Sequence, residues 1–163
     1  MATRRSATHT NLKVILMKTY FLHGLLFFIL TFSNSSLAAE LIINLSNQEK
    51  AGTLMLAIYN NAEAFEGSVV KEKRSEIGVF KGLELYLEPQ DSTQLSTEIP
   101  DGEYAIAFFI DANGNKKLDK NFLGIPKEQY GFSNNAMGTL SAPTFKQAKF
   151  NLAGKTIQNI KLK

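Results

Sequence analysis

The chain has 163 residues, room for one domain of ordinary size, and its 18 Lys and Arg against 15 Asp and Glu give a formal charge of +3. That surplus sits in residues 1–38, which hold Arg4, Arg5, Lys13 and Lys18 and no carboxylate, so the other 125 residues carry 14 basic and 15 acidic groups. There is no Cys, and His9 and His23 both lie in the same early stretch. The rest of the chain therefore lacks the residues for Ser–His or Cys–His nucleophiles, His or Cys zinc sites, haem ligation and iron–sulfur clusters, and it has no cationic excess for neutralising nucleic-acid phosphates.

The chain opens on the features of an export leader. Lys18 precedes an apolar run of 13 residues, Tyr20 to Phe32, and the small polar stretch Ser33 to Ala39 follows. A charged start, a short apolar stretch and small residues at Ser36 and Ala38 define a signal peptide cleaved after Ala38 or Ala39, with Met17 as an alternative start. The run is short for a membrane anchor, which needs about 20 apolar residues. Without a cysteine there is no site for an N-terminal lipid. The expected mature domain is 39–163, periplasmic or secreted, monomeric and not stably inserted in a membrane.

Beyond the leader, short alternating segments separated by turn residues predict strands. Leu41, Ile43 and Leu45 alternate with Ile42, Asn44 and Ser46. After the turn 47–52, Leu54, Leu56 and Ile58 share one face of Thr53–Tyr59. Asn60–Ser68 reads as a polar loop with room for a helical turn and with Phe65 returning to the core. Val69-Val70, Val79-Phe80 and Leu83–Leu87 are strand candidates around the charged run Lys71–Glu76, an exposed edge that resists strand-to-strand aggregation. Gln94–Ile99 is expected to pair with Glu103–Ile110 as a hairpin through Pro100-Asp101-Gly102. That second strand is apolar on both faces, as a central strand covered on each side would be. Phe145–Leu152 and Thr156–Leu162 close the chain. About seven short strands at this spacing predict an all-β fold, a single antiparallel β-sandwich.

Between Ile110 and Phe145 the alternation stops. A loop spanning 111–144 is far longer than the roughly 12–15 residues at which unstructured connections become uncommon. Its Leu118, Phe122, Leu123, Ile125, Tyr130, Phe132 and Met137 are too apolar for a solvated linker, so a packed excursion is expected. Two patterns in it carry candidate chemistry. Asp111, Asn113, Asn115 and Asp119 place side-chain oxygens at alternate positions, with the Lys117 carbonyl between the last two, as in the front of a calcium loop. Lys116 stands where such loops have Gly and Phe122 where they close with Glu, and Glu128 is available only if the chain turns back. The same residues equally form Asx-turns that satisfy backbone donors without an ion. The second pattern joins Phe122, Tyr130 and Phe132 to Glu128, Asn134 and Asn135. It is either a ligand surface of rings beside polar groups or a plug of aromatics at the open end of the sandwich.

The segments Ile99–Ala107, Asp111–Asn115, Leu118-Asp119, Phe122–Glu128 and Tyr130–Asn135 resemble domain-of-unknown-function family 2141, a group of exported bacterial proteins. The resemblance runs from about residue 41 to the C-terminus. It departs at Lys116, where the family usually has Gly, and at Ser141-Ala142-Pro143, in place of a Gly-Pro-Pro-like segment. It implies a prealbumin-like or immunoglobulin-like sandwich and a non-enzymatic protein, and it supplies no ligand. The function expected is thus a non-catalytic binding module for an envelope protein or glycan, with its contact surface on 111–135 and calcium as its one candidate ion. The alternative is a small carbohydrate-active enzyme using Asp111, Asp119 or Glu128.

Overall fold

The computed structural model describes residues 38–70, 78–139 and 141–163. Nearly all of the expected leader, residues 1–37, and the charged run Lys71–Glu76 lie outside the described residues. Ser36–Lys163 forms one compact unit, and the described core lies wholly within it. No helix among the described residues is long and apolar enough to cross a membrane.

Two sheets face each other. The first has the order β4-β1-β8, from β1 (Ala38–Gln48), β4 (Gln90–Pro100) and β8 (Lys155–Lys161). The second has the order β3-β2-β5-β6, from β2 (Gly52–Tyr59), β3 (Lys81–Leu87), β5 (Gly102–Asp111) and β6 (Tyr130–Phe132), and β7 (Phe150–Leu152) pairs with the start of β5. Because side chains alternate along a strand, Leu41, Ile43 and Leu45 of β1 meet Leu54, Leu56 and Ile58 of β2 and Ile106, Phe108 and Ile110 of β5 between the sheets. Gly131 of β6 sits opposite Phe108, where a Cβ would come within 2.5 Å of the ring, so only glycine lets β6 close onto β5.

The opposite face of the second sheet is covered as well, as the two apolar faces of β5 predict. Phe65, from helix α1 (Ala62–Val70), is fully buried there, with ring contacts to Tyr59 at 5.6 Å, Phe145 at 6.0 Å and Phe132 at 6.2 Å. Asn61 starts this helix by accepting the Ala64 N–H at 2.8 Å.

Four expectations are corrected. β4 and β5 do not form a hairpin: with only Asp101 between them, the chain crosses from one sheet to the other, and β4 pairs with β1 instead. The Tyr104 hydroxyl, donating to the Pro100 carbonyl at 2.9 Å, holds this corner, and burial, then the neighbouring Asp101 carboxylate, raise its pKa above the ordinary 10.0. The sandwich is not wholly antiparallel, since β8 runs parallel to β1 with Leu45 beside Ile160. Val69-Val70 end helix α1 rather than forming a strand, and Val79-Phe80 precede β3. Phe145–Leu152 is broken, because Thr144 and Gln147 form a capping box that starts the one-turn helix α2 (Phe145–Ala148) before β7.

Candidate functional site

The residues singled out in the sequence between 111 and 135 divide into three roles. The first is a polar latch. Asp111 ends β5, only 3% exposed, and its carboxylate accepts the N–H groups of Gly114 (2.7 Å), Asn115 (3.2 Å) and Lys116 (2.8 Å). Asp119 accepts the side-chain amides of Asn113 at 2.7 Å and of Asn115 at 3.1 and 3.2 Å. The amide oxygens of Asn113 and Asn115 accept the N–H groups of Asn115 and Lys117 in turn. Lys116 adopts φ 58°, a left-handed conformation that a glycine would take more readily.

Glu128 does turn back to this loop. It is 7% exposed and accepts the Ala112 N–H at 3.0 Å and the Asp119 N–H at 3.1 Å. The structure thus brings Asp111, Asn113, Asn115, Asp119 and Glu128 into one hydrogen-bonded group. Among the described residues, however, no cluster of three or more His, Cys, Asp or Glu side chains converges as a metal site.

The second role is anchoring. Asn134 donates to the carbonyls of Ala148 and Lys149, and Asn135 donates to the Asn159 carbonyl and accepts the Lys161 N–H. Both occupy left-handed backbone, at φ 58° and 51°. Two residues that sequence reasoning passed over act with them. Buried Gln129 clamps the turn after β1, accepting from Glu49 and Lys50 and donating to the Asn47 carbonyl. Buried Ser133 links the Ile106 N–H to the Ala148 carbonyl. Each sits among other polar residues, Gln129 after Lys127-Glu128 and Ser133 before Asn134-Asn135, so nothing in the local sequence marks it as buried.

The third role is a cavity of about 640 Å³ over the outer face of the second sheet. Its floor includes Met55, Ala57 and Tyr59 of β2, Ala107 and Phe109 of β5, and Tyr130 and Phe132 of β6, and its walls come from Leu118, Lys120 and residues 123–126 on one side and from residues 137–139, Ser141 and Ala142 on the other. Ala57 and Ala107 are direct cross-strand partners, so the middle of the floor is low where larger side chains would fill it. The cavity falls within the usual 300–1,000 Å³ of small-molecule sites and is mostly apolar, as they are. Of the residues expected to bind, Tyr130 and Phe132 line it. Phe122 does not; it stands on a turn at the cavity's rim, 95% exposed. The three rings therefore part company: two lie in the cavity floor and one stands in solvent.

The fold and this excursion define a β-sandwich protein with one long, packed loop over its second sheet. The chain belongs to a bacterial family described as an uncharacterized protein conserved in bacteria (DUF2141), whose profile matches residues 42–160. No curated protein and no solved structure matches it.

Proposed function

We propose that the protein is an exported, non-catalytic binding module whose 111–135 excursion forms one side of its ligand site. The observation that carries this reading is the cavity of about 640 Å³ between the excursion and the second sheet, with Tyr130 and Phe132 in its floor. Its lining favours a ligand with an apolar body, since polar groups there are few: Lys120, the Tyr59 and Tyr130 hydroxyls, and Ser68, Thr139 and Ser141. The non-catalytic part is supported by the carboxylates. Asp111, Asp119 and Glu128 hold backbone and amide donors and are not among the described lining residues. Calcium belongs to the proposal as a weak accessory ion on Asp111, Asn113, Asn115, the Lys117 carbonyl and Asp119, for which the buried Asp111 is the main support.

The test uses residues 36–163, which carry their own core. Titration with the apolar fluorophore Nile red should give saturable binding, and Ala107→Phe, which fills the floor, should weaken it about tenfold, the loss of one or two well-packed apolar contacts. Asp119→Asn should bind as the parent does. Binding unaffected by Ala107→Phe would remove the cavity from the proposal. Hydrolysis of a glycan that Asp119→Asn or Glu128→Gln abolishes would replace it with the enzymatic alternative. Export is read from residues 1–38, and an N-terminus at Ala39 or Glu40 in protein recovered from outside the cytoplasm is the expected result.

A further inference from the structure

Residues 120–126 form a small hairpin that projects from the excursion. Its base is the bridge between Lys120 and Pro126. The Asn121 N–H donates to the Ile125 carbonyl at 2.8 Å and the Gly124 N–H to the Asn121 carbonyl at 2.9 Å. The Asn121 side chain accepts the N–H groups of Leu123 at 2.9 Å and Ile125 at 3.0 Å. The N–H groups of residues 121, 123, 124 and 125 are thus bonded inside the turn, and Pro126 has none to satisfy. This rigid turn presents Phe122 at 95%, Leu123 at 67% and Ile125 at 55% exposure. A cluster of large apolar side chains held in water at a projecting tip is uncommon in a monomeric protein and marks a contact surface.

The charges at the base of the tip are cationic. Lys120 and Lys127 flank the hairpin in sequence, Lys117 precedes it, and the Lys50 ammonium rests on the Lys127 carbonyl at 2.8 Å. Of the excursion's own carboxylates, Asp111 and Glu128 are buried on backbone donors and Asp119 receives the Asn113 and Asn115 amides, which leaves the exposed Glu49 beside Lys50 to set against the four lysines.

We infer that this tip docks the protein on an anionic lipid surface, with Phe122, Leu123 and Ile125 entering the headgroup–acyl boundary and the lysines meeting phosphates. Three features fit that occupant together. The apolar side chains supply the partition into the boundary. The turn bonds the N–H groups of Leu123, Gly124 and Ile125 internally, so among the entering residues only Phe122 brings an N–H that headgroup oxygens or water must meet. The lysines supply the attraction to negative headgroups. Docking of this kind is peripheral and needs no spanning segment. The inference rests on the excursion being the contact surface and does not require the cavity to be filled.

Co-flotation of residues 36–163 with phosphatidylcholine vesicles, with and without phosphatidylglycerol, tests it. Binding should require the anionic lipid and weaken in high salt, because the lysine contribution is screened. Phe122→Ser with Leu123→Ser should reduce the partition at least about tenfold, and Lys120→Glu with Lys127→Glu should do the same on anionic vesicles only. Melting curves of both variants should match the parent, since these side chains are exposed or at the rim. Ala107→Phe should leave vesicle binding intact, which separates this inference from the cavity reading. A parent domain that ignores anionic vesicles overturns the inference. So does vesicle binding that survives the Phe122 and Leu123 changes, or a dimer in solution that those changes dissolve, which would give the tip to a second copy.

Discussion

Residues 111–119 and 120–126 are consecutive stretches of one loop with opposite habits. In the first, short polar side chains turn inward: Asp111 and the asparagines accept backbone N–H groups, and Glu128 arrives from outside to take two more. In the second, one asparagine, Asn121, satisfies the backbone and the apolar side chains turn outward. The polar stretch looks like a site and is bonded like a scaffold. The apolar stretch looks like core and is held like a contact surface. A residue type thus states which interactions it is able to make, and the local geometry decides whether they are made within the protein or left for a partner.

The comparison is sharpest at Glu128. Replacing it with Ala strands the N–H groups of Ala112 and Asp119 beside a buried position, so Glu128→Ala should cost about 2–4 kcal/mol in urea unfolding. A loss below about 0.5 kcal/mol, the size of an ordinary surface change, would mean that the latch does not hold the loop. Asn121→Ala removes the corresponding acceptor from the apolar turn, where water can replace it, and about 1 kcal/mol is expected. Lys116→Gly should gain up to about 1 kcal/mol by relieving the left-handed backbone, offset by the entropy glycine adds to the unfolded chain. Phe122→Ser should change stability by less than about 0.5 kcal/mol while weakening vesicle binding. If it instead destabilises the fold as a core change would, the tip is packed in solution and the contrast between the two stretches collapses.

The sequence makes one side of this contrast legible and not the other. β1, β2 and β5 are readable because burial on one face imposes a period of two, and the doubly apolar β5 announces a second covered face. Pro100-Asp101-Gly102 carries the same turn residues whether the chain returns to its own sheet or crosses to the other. That choice is settled by distant pairings such as Pro100 with Ala38. The parallel pairing of β8 with β1 joins the two ends of the domain and leaves no local trace. Reading Phe145–Leu152 as one strand passes over Thr144 and Gln147, whose three-residue spacing is that of the capping box the structure forms. At the site, the region was readable from its broken periodicity. The roles were not, because a carboxylate able to ligate an ion is equally able to accept an N–H. The cavity floor does leave a trace, in the small outward residues Ala57 and Ala107 between larger inward ones.

The smallest expected effect concerns calcium, and it bears on the polar stretch alone. An ion there needs oxygens, yet the Nδ2 groups of Asn113 and Asn115 face Asp119. Both amides must turn over to offer oxygens, which gives up the bonds that Asn115 N–H and Lys117 N–H make to them now. Binding is therefore opposed by bonds already made, and a dissociation constant in the roughly 10⁻⁴–10⁻³ M range of weak extracellular sites is expected. With calcium equal to that constant, the folded domain gains about 0.4 kcal/mol. For a domain of this size that is a rise in melting temperature of about 1–3 °C. Magnesium should give less, because it demands a tighter octahedron and sheds water reluctantly. Asp111→Asn should abolish the rise, since it removes one of two carboxylates in the set. A melting curve that millimolar calcium leaves unmoved would discard the ion and leave Asx-turns closed by Glu128. A much larger rise would show that the amides already face inward with their oxygens, and the ion would then share the latch's work with Glu128.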